Sequence, residues 1–180
     1  IGGDIDRHGE LTVVTTGLGL VDKHQVVRRT GTHVGDLVCI TGTPGQAQAY
    51  LDGYPRFEKA LFEPQPRVRE GQYLGRAGVS AMMDDSDGIA LSLYDLVSVN
   101  ECGFSLDSTR LPVPSGIPAL QAQELALYGG GDYELIFTLP PKLHPVKGVS
   151  YTVIGKTIPE KVVLIDGIPV EKRGYQHRWE

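Results

Sequence analysis

Cysteine is nearly absent: Cys39 and Cys102 are the two in 180 residues, far apart and without a CxxC spacing. That excludes a disulfide framework and a zinc knuckle, and fits a reducing cytoplasm. Cys39 sits in an apolar run and Cys102 beside Gly103, so both read as small buried hydrophobes. No apolar stretch approaches the ~18 residues a membrane helix needs. Clustered basic residues are missing too, apart from the short pairs Arg28–Arg29 and Lys172–Arg173. With 17 Lys and Arg against 22 Asp and Glu the net charge is -5, which argues against nucleic acid as a partner. There is no GxxxxGK[ST] phosphate loop, no GxSxG and no HExxH, and Gly17-Leu18-Gly19 lacks the third glycine of a dinucleotide fingerprint. The five histidines are scattered and read as surface or structural residues. The chain opens on Ile1-Gly2-Gly3-Asp4, with no initiator Met and no leader, and is expected to be the later part of a larger protein.

What is present is ordinary globular composition, 41% hydrophobic and 22% charged. Residues 11–20 are rich in β-branched side chains and read as a strand. Residues 36–41 read as a second strand and 45–51 as a short helix. Four residues, Gly53, Pro55, Pro64 and Pro66, make 52–66 a loop. The spacing of Val68, Leu74, Ala77 and Ala81 predicts a helix over 67–81. Ile89, Leu93, Leu96 and Val97 predict a helix over 88–99, with Ser86–Asp87 as its N-cap. A strand over 104–108, a proline loop, a helix over 119–127 and strands over 133–139 and 151–155 follow. Residues 162–165 and 168–170 flank Asp166–Gly167, a hairpin signal. The fold class is α/β (α+β) with a mixed sheet. Residues 1–25 read as the end of a preceding domain and 26–180 as the domain proper.

Three stretches carry candidate chemistry. In Met83-Asp84-Asp85-Ser86-Asp87-Gly88, three carboxylates and a hydroxyl crowd the mouth of a predicted helix. Such crowding is repulsive unless a cation offsets it. A helix N-terminus seats phosphate, and Mg²⁺ favours carboxylates together with substrate phosphates. The structural alternative is an N-cap followed by a solvated acidic turn. A calcium loop fits poorly, because the glycine falls one position early and a helix follows at once. Gly2-Gly3-Asp4 permits close backbone approach to a ligand, or is simply a turn. Gly129-Gly130-Gly131-Asp132-Tyr133-Glu134-Leu135 is either a second close-approach loop or a helix C-cap leading into a half-buried strand. Alternation along that strand would put Tyr133, Leu135 and Phe137 on one face, with Asp132 and Glu134 on the other.

In this order the stretches resemble thiamine-monophosphate kinase. That family carries a GGD, an RSGA-like segment, a GD followed by a V-x-G-x-x-G-like turn, an A-x-x-D-x-SDG segment, a GGEDYEL-like segment and a G-Y/F-x-H-like tail. Here these read Gly2-Gly3-Asp4, Arg29-Thr30-Gly31-Thr32, Gly35-Asp36, Ile40 to Gly45, Ala81 to Ile89, Gly129 to Leu135 and Gly174-Tyr175-Gln176-His177. Pro66-Arg67 matches a P-R step as well. The resemblance covers nearly the whole chain. It implies the carboxy-terminal domain of an aminoimidazole ribonucleotide synthetase-like fold, preceded by the last strand of an amino-terminal ATP- and magnesium-binding domain. It implies transfer of the ATP γ-phosphoryl group to thiamine monophosphate, with several Mg²⁺ ions, and a homodimer at full length. By this analogy Gly3, Asp4, Arg29 and Ser86 contact ATP, and Asp4, Asp84 and Asp87 bind magnesium. Gly131, Asp132 and Tyr175 line the thiamine side. Alternatives are a sister ATP-using enzyme, of the selenophosphate synthetase or hydrogenase-maturation type, and a non-catalytic ligand-binding domain. One departure stands out: the family's GGED glutamate is Gly131 here. Restoring a glutamate there is expected to leave the use of thiamine monophosphate intact or improve it.

Overall fold

The computed structural model describes residues 15–175. Its frame is a seven-stranded mixed sheet. The strands are β1 (Leu37–Ile40), β2 (Ala81–Asp85), β3 (Gly103–Leu106), β4 (Glu134–Leu139), β5 (Thr152–Ile158), β6 (Val163–Ile165) and β7 (Ile168–Pro169). They lie in the order β2-β4-β1-β5-β3-β6-β7. Every pairing is antiparallel except β3 with β6. Five helices surround it: α1 (Gln46–Leu51), α2 (Glu58–Phe62), α3 (Val68–Ala77), α4 (Ile89–Val99) and α5 (Ala119–Tyr128).

Strand alternation divides the core between the two faces of the sheet. Val38, Ile40, Ile136, Ile154 and Phe104 point to one side, where α4 and α5 close over them with Leu93, Leu96 and Ala126. Cys39, Phe137 and Leu139 point to the other, against Leu74 of α3. Both cysteines are buried and unbridged, and burial pushes the Cys39 thiol up to about 12. They are packing groups, as their neighbours implied.

Most predicted elements are present within a few residues. The Asp166–Gly167 hairpin is formed, with φ of 51° and 81° at its two central residues, the signature of a type I′ turn. Three expectations are corrected. Residues 15–20 are exposed and belong to no strand, and 11–14 lie outside the described residues. The 52–66 loop contains a 3₁₀ turn (Pro55–Phe57) and α2, because Glu58 to Phe62 holds no proline or glycine to prevent a helix. The helix predicted over 67–81 ends at Ala77, with Gly78 in the left-handed conformation. Ala81 instead opens β2, which pairs with β4 from Ala81–Thr138 to Asp85–Glu134. Among the described residues, no helix is long and apolar enough to cross a membrane.

Candidate active site

β2 carries the first two acids of the run out of the sheet, and pleating sends them to opposite fates. Asp84 is about half exposed, and its Oδ1 lies 3.9 Å from the Arg29 guanidinium. Asp85 is 1% exposed and accepts a 2.9 Å hydrogen bond from Ser92 Oγ of α4. Burial pushes its carboxyl up to about 8, against the Ser92 hydrogen bond, while Asp132, Asp84 and Asp87 add repulsion. Asp85 is therefore a buried packing partner of α4 and not a third solvent-facing ligand.

Ser86 and Asp87 form the turn between β2 and α4, with Ser86 Oγ 3.2 Å from Asp87 Oδ2. The N-cap of α4 is Gly88, and no side chain caps the helix. This corrects the expectation that Ser86–Asp87 cap it. Both side chains are left for other work, beside a helix end whose N–H groups favour anions.

The glycine run comes to this turn from the far end of α5. Gly131 N–H donates to Ser86 O at 2.8 Å, Tyr133 N–H to Asp85 O at 3.1 Å, and Tyr175 N–H to Asp87 O at 3.0 Å. A side chain at Gly130 could not be accommodated, since its Cβ would fall 2.6 Å from Ser86 O and 2.9 Å from Tyr175 Cβ. Gly131 has φ of +93°, which disfavours any side chain, and a Cβ there would lie 3.2 Å from Ala47 Cβ. A glutamate at 131 would therefore carry backbone strain.

Four of the residues singled out in the sequence surround one cavity of about 290 Å³: Ser86, Asp87, Gly131 and Tyr175. Tyr133, Leu51 and Leu61 complete its apolar walls. The two leucines come from α1 and α2, in stretches where the sequence shows no chemical signature. Arg29 and Asp84 lie together but do not line this cavity. Gly3, Asp4, Gln176 and His177 lie outside the described residues.

Asp132 is engaged within the fold. Its carboxylate accepts from Gly45 N at 2.6 Å and from Ala47 N at 2.9 Å, so it caps α1 from 85 residues away. Burial raises it to about 6 in spite of those backbone hydrogen bonds. Tyr133 has φ of 53°, so strand alternation begins only at Glu134 and does not reach back to Asp132. Glu134 is held by Arg67 in a two-pronged pair, at 2.6 Å for each contact, and by Thr41 Oγ1 at 2.5 Å. Asp132, Glu134 and Arg67, with Lys59 and Glu63, border a second cavity of about 350 Å³.

For a divalent cation the donor chemistry is suitable but partial. Asp84 and Asp87 are hard oxygen donors of the kind Mg²⁺ takes, and Mg²⁺ completes its shell with water and substrate phosphates. Among the described residues, no group of three or more His, Cys, Asp or Glu is placed to hold a metal ion.

No protein-family model matches the chain. Known proteins do. A thiamine-monophosphate kinase of Methanospirillum hungatei is 45% identical over 178 residues, covering 99% of this chain and 62% of that protein. One from Halobacterium salinarum is 38% identical, over 98% of this chain and 64% of its own length. Among solved structures, thiamine-monophosphate kinase from Stenotrophomonas maltophilia superposes with a TM-score of 0.76 at 26% identity, covering 83% of this chain and 56% of that one. AaThiL complexed with AMPPCP and TMP superposes with a TM-score of 0.73 at 25% identity, covering 84% and 54%. The resemblance read from the motifs is borne out, and the architecture is the aminoimidazole ribonucleotide synthetase-like fold. The chain spans about 62–64% of the length of these two curated relatives.

Proposed function

We propose that this chain forms part of an ATP- and magnesium-dependent kinase that phosphorylates thiamine monophosphate to thiamine pyrophosphate. The observation that carries the reading is that relatives so named match nearly the whole chain; Ser86, Asp87, Gly131 and Tyr175, from three of the motifs, line one cavity, which supports it. In the reaction, an oxygen of the acceptor phosphate attacks the γ-phosphorus of ATP, the bond from that phosphorus to the β-phosphate oxygen breaks, and ADP leaves. The acceptor oxygen is already ionised, so no general base is required. The work left to the protein is alignment and charge compensation.

In this scheme Arg29 and Ser86 meet the nucleotide phosphates, together with Gly3 and Asp4. Asp4, Asp84 and Asp87 would hold magnesium, which supplies charge neutralisation at the transferring phosphoryl group. Tyr175 forms one wall for the thiamine ring, and the backbone at Gly130–Gly131 reaches the ligand directly. Asp132 serves the acceptor side indirectly: by capping α1 it sets the helix whose Leu51 lines the same cavity as Gly131. A cytoplasmic location and a homodimer are further parts of the proposal.

The test is purified full-length protein with ATP, magnesium and thiamine monophosphate, with thiamine pyrophosphate followed by chromatography. Product formation is expected, and ATP binding without it would overturn the acceptor assignment. The 180-residue chain alone should give little or no turnover. Full activity from it would refute the assignment of magnesium and nucleotide contacts to a further domain.

A further inference from the structure

A buried amide far from the cavity holds the proposed phosphate-binding arginine. Asn100 is the C-cap residue of α4 and is 6% exposed. Its Oδ1 accepts two backbone N–H bonds, from Gly31 at 3.0 Å and Thr32 at 3.1 Å. Its Nδ2 donates twice, to Arg29 O at 2.8 Å and to Leu96 O at 2.8 Å. All four hydrogen-bonding positions of the amide are therefore filled, and three of them go to residues 29–32.

That segment is fixed on both sides of Arg29. Upstream, Met82 N–H of β2 donates to Arg28 O at 3.0 Å. Downstream, Gly31 has φ of +114° and lies so close to the residue before β2 that a Cβ there would be 2.6 Å from Ser80 O. Thr32 Oγ1 is 3.2 Å from Thr138 Oγ1 of β4. The Arg29 side chain is half exposed, and its neighbour at 3.9 Å is Asp84. An exposed arginine on an untethered segment would lose most of its binding energy to side-chain and backbone entropy. Here the backbone cost is met in folding.

We infer that Asn100 is a positioning residue for Arg29. It ties the backbone of residues 29–32 to the end of α4, the helix whose other end follows Ser86 and Asp87, so that the guanidinium and the acidic turn keep a fixed spacing. The inference rests on the reading that Arg29 meets the nucleotide's phosphates.

The experiment is a double-mutant cycle in the full-length protein, with ATP affinity measured by titration calorimetry and thermal stability measured alongside. Arg29→Ala should weaken ATP binding about tenfold, the scale of one charge-assisted contact. Asn100→Ala should weaken it by a similar factor, and Asn100→Ala added to Arg29→Ala should weaken it no further. Asn100→Asp keeps the acceptor for Gly31 and Thr32 and loses the donor, so it should fall between parent and Asn100→Ala. It carries the cycle if the alanine variant does not fold. An Asn100 effect of equal size with and without the Arg29 side chain would overturn the inference, as would lost thermal stability with unchanged ATP affinity. An Arg29→Ala protein that binds ATP normally would defeat the reading of Arg29, and the role of Asn100 with it.

Discussion

Two short acidic runs meet in this fold, residues 84–87 and 132–134, and they are used in opposite ways. In the second run every carboxylate is taken up by the protein itself. Asp132 is spent on the N-terminus of α1, and Glu134 on Arg67 and Thr41. In the first run only Asp85 is consumed, by Ser92. Asp84 faces an exposed arginine at 3.9 Å, and Asp87 accepts a long 3.2 Å hydrogen bond from its neighbour Ser86. Acid count therefore does not locate a ligand site. What locates it is the set of acids whose partners within the fold are weak or missing, since only these gain from a cation.

The contrast can be broken by substitution. Variants in the open run should lose activity and keep stability, and variants in the closed run should do the reverse. The largest effect is expected for Asp87→Asn in the full-length protein. Removing one carboxylate from the charge-compensating set should lower kcat by a hundred- to thousandfold, or ~2.7–4 kcal/mol by analogy with loss of one oxyanion-hole donor. Urea denaturation should be nearly unchanged, because this side chain caps no helix. Normal turnover with normal magnesium dependence would place Asp87 among the merely solvated acids.

Arg67→Ala should come next. It leaves Glu134, whose side chain is 8% exposed, with Thr41 alone. Breaking a buried pair from one side costs ~3–5 kcal/mol, and the low end applies because the Arg67 side chain is itself 28% exposed. Chemical denaturation would measure it. A loss below ~1 kcal/mol would mean that water entering the adjoining cavity solvates Glu134 as well as the arginine does.

Gly131→Glu should be smaller, about 1–2 kcal/mol of backbone strain, the scale of forcing a side chain into a left-handed conformation. At φ of +93° a glutamate carries backbone strain, which works against the motif-based expectation of harmless restoration. If the variant keeps its melting temperature and improves KM for thiamine monophosphate, the turn has relaxed and the glutamate reaches the acceptor.

These positions also show how far the sequence could be read. The hairpin, α4, α5 and most strand-like segments follow from turn chemistry and periodicity alone. β2 did not, because Ala81 continued the spacing of the helix before it, and only pairing with β4 makes it a strand. The run 84–87 was legible as chemistry, but its division into buried and open acids was not, since that depends on where α4 places Ser92. Asp132 was legible as important. Its partner lies in α1, and the left-handed Tyr133 that turns it there carries no sequence signal. Asn100 gave no sign, because nothing local to it reveals a partner some 70 residues away.

The smallest effect, Asp132→Asn, tests the closed run most finely. Asparagine caps helices about as well as aspartate, so near neutral pH the loss of cap should be a few tenths of a kcal/mol. The pH dependence should nonetheless change. Burial raises the folded-state carboxyl to about 6, from an ordinary value of 3.8. A folded pKa above the unfolded one means that the folded protein binds the proton more tightly. Its contribution is fully present below about 3.8 and is lost as pH rises to about 6. Asparagine does not titrate. The stability of Asp132→Asn relative to the parent should therefore climb between pH 4 and 6 and level off above, as read from urea denaturation at stepped pH. Asp85 is raised as well, mainly by burial and only in smaller part by repulsion from Asp132, and at about 8 it titrates above this window. A relative stability that instead falls over that window would mean that the two backbone N–H bonds and the α1 helix end outweigh burial. Asp132 would then be a carboxylate stabilised in its charged form.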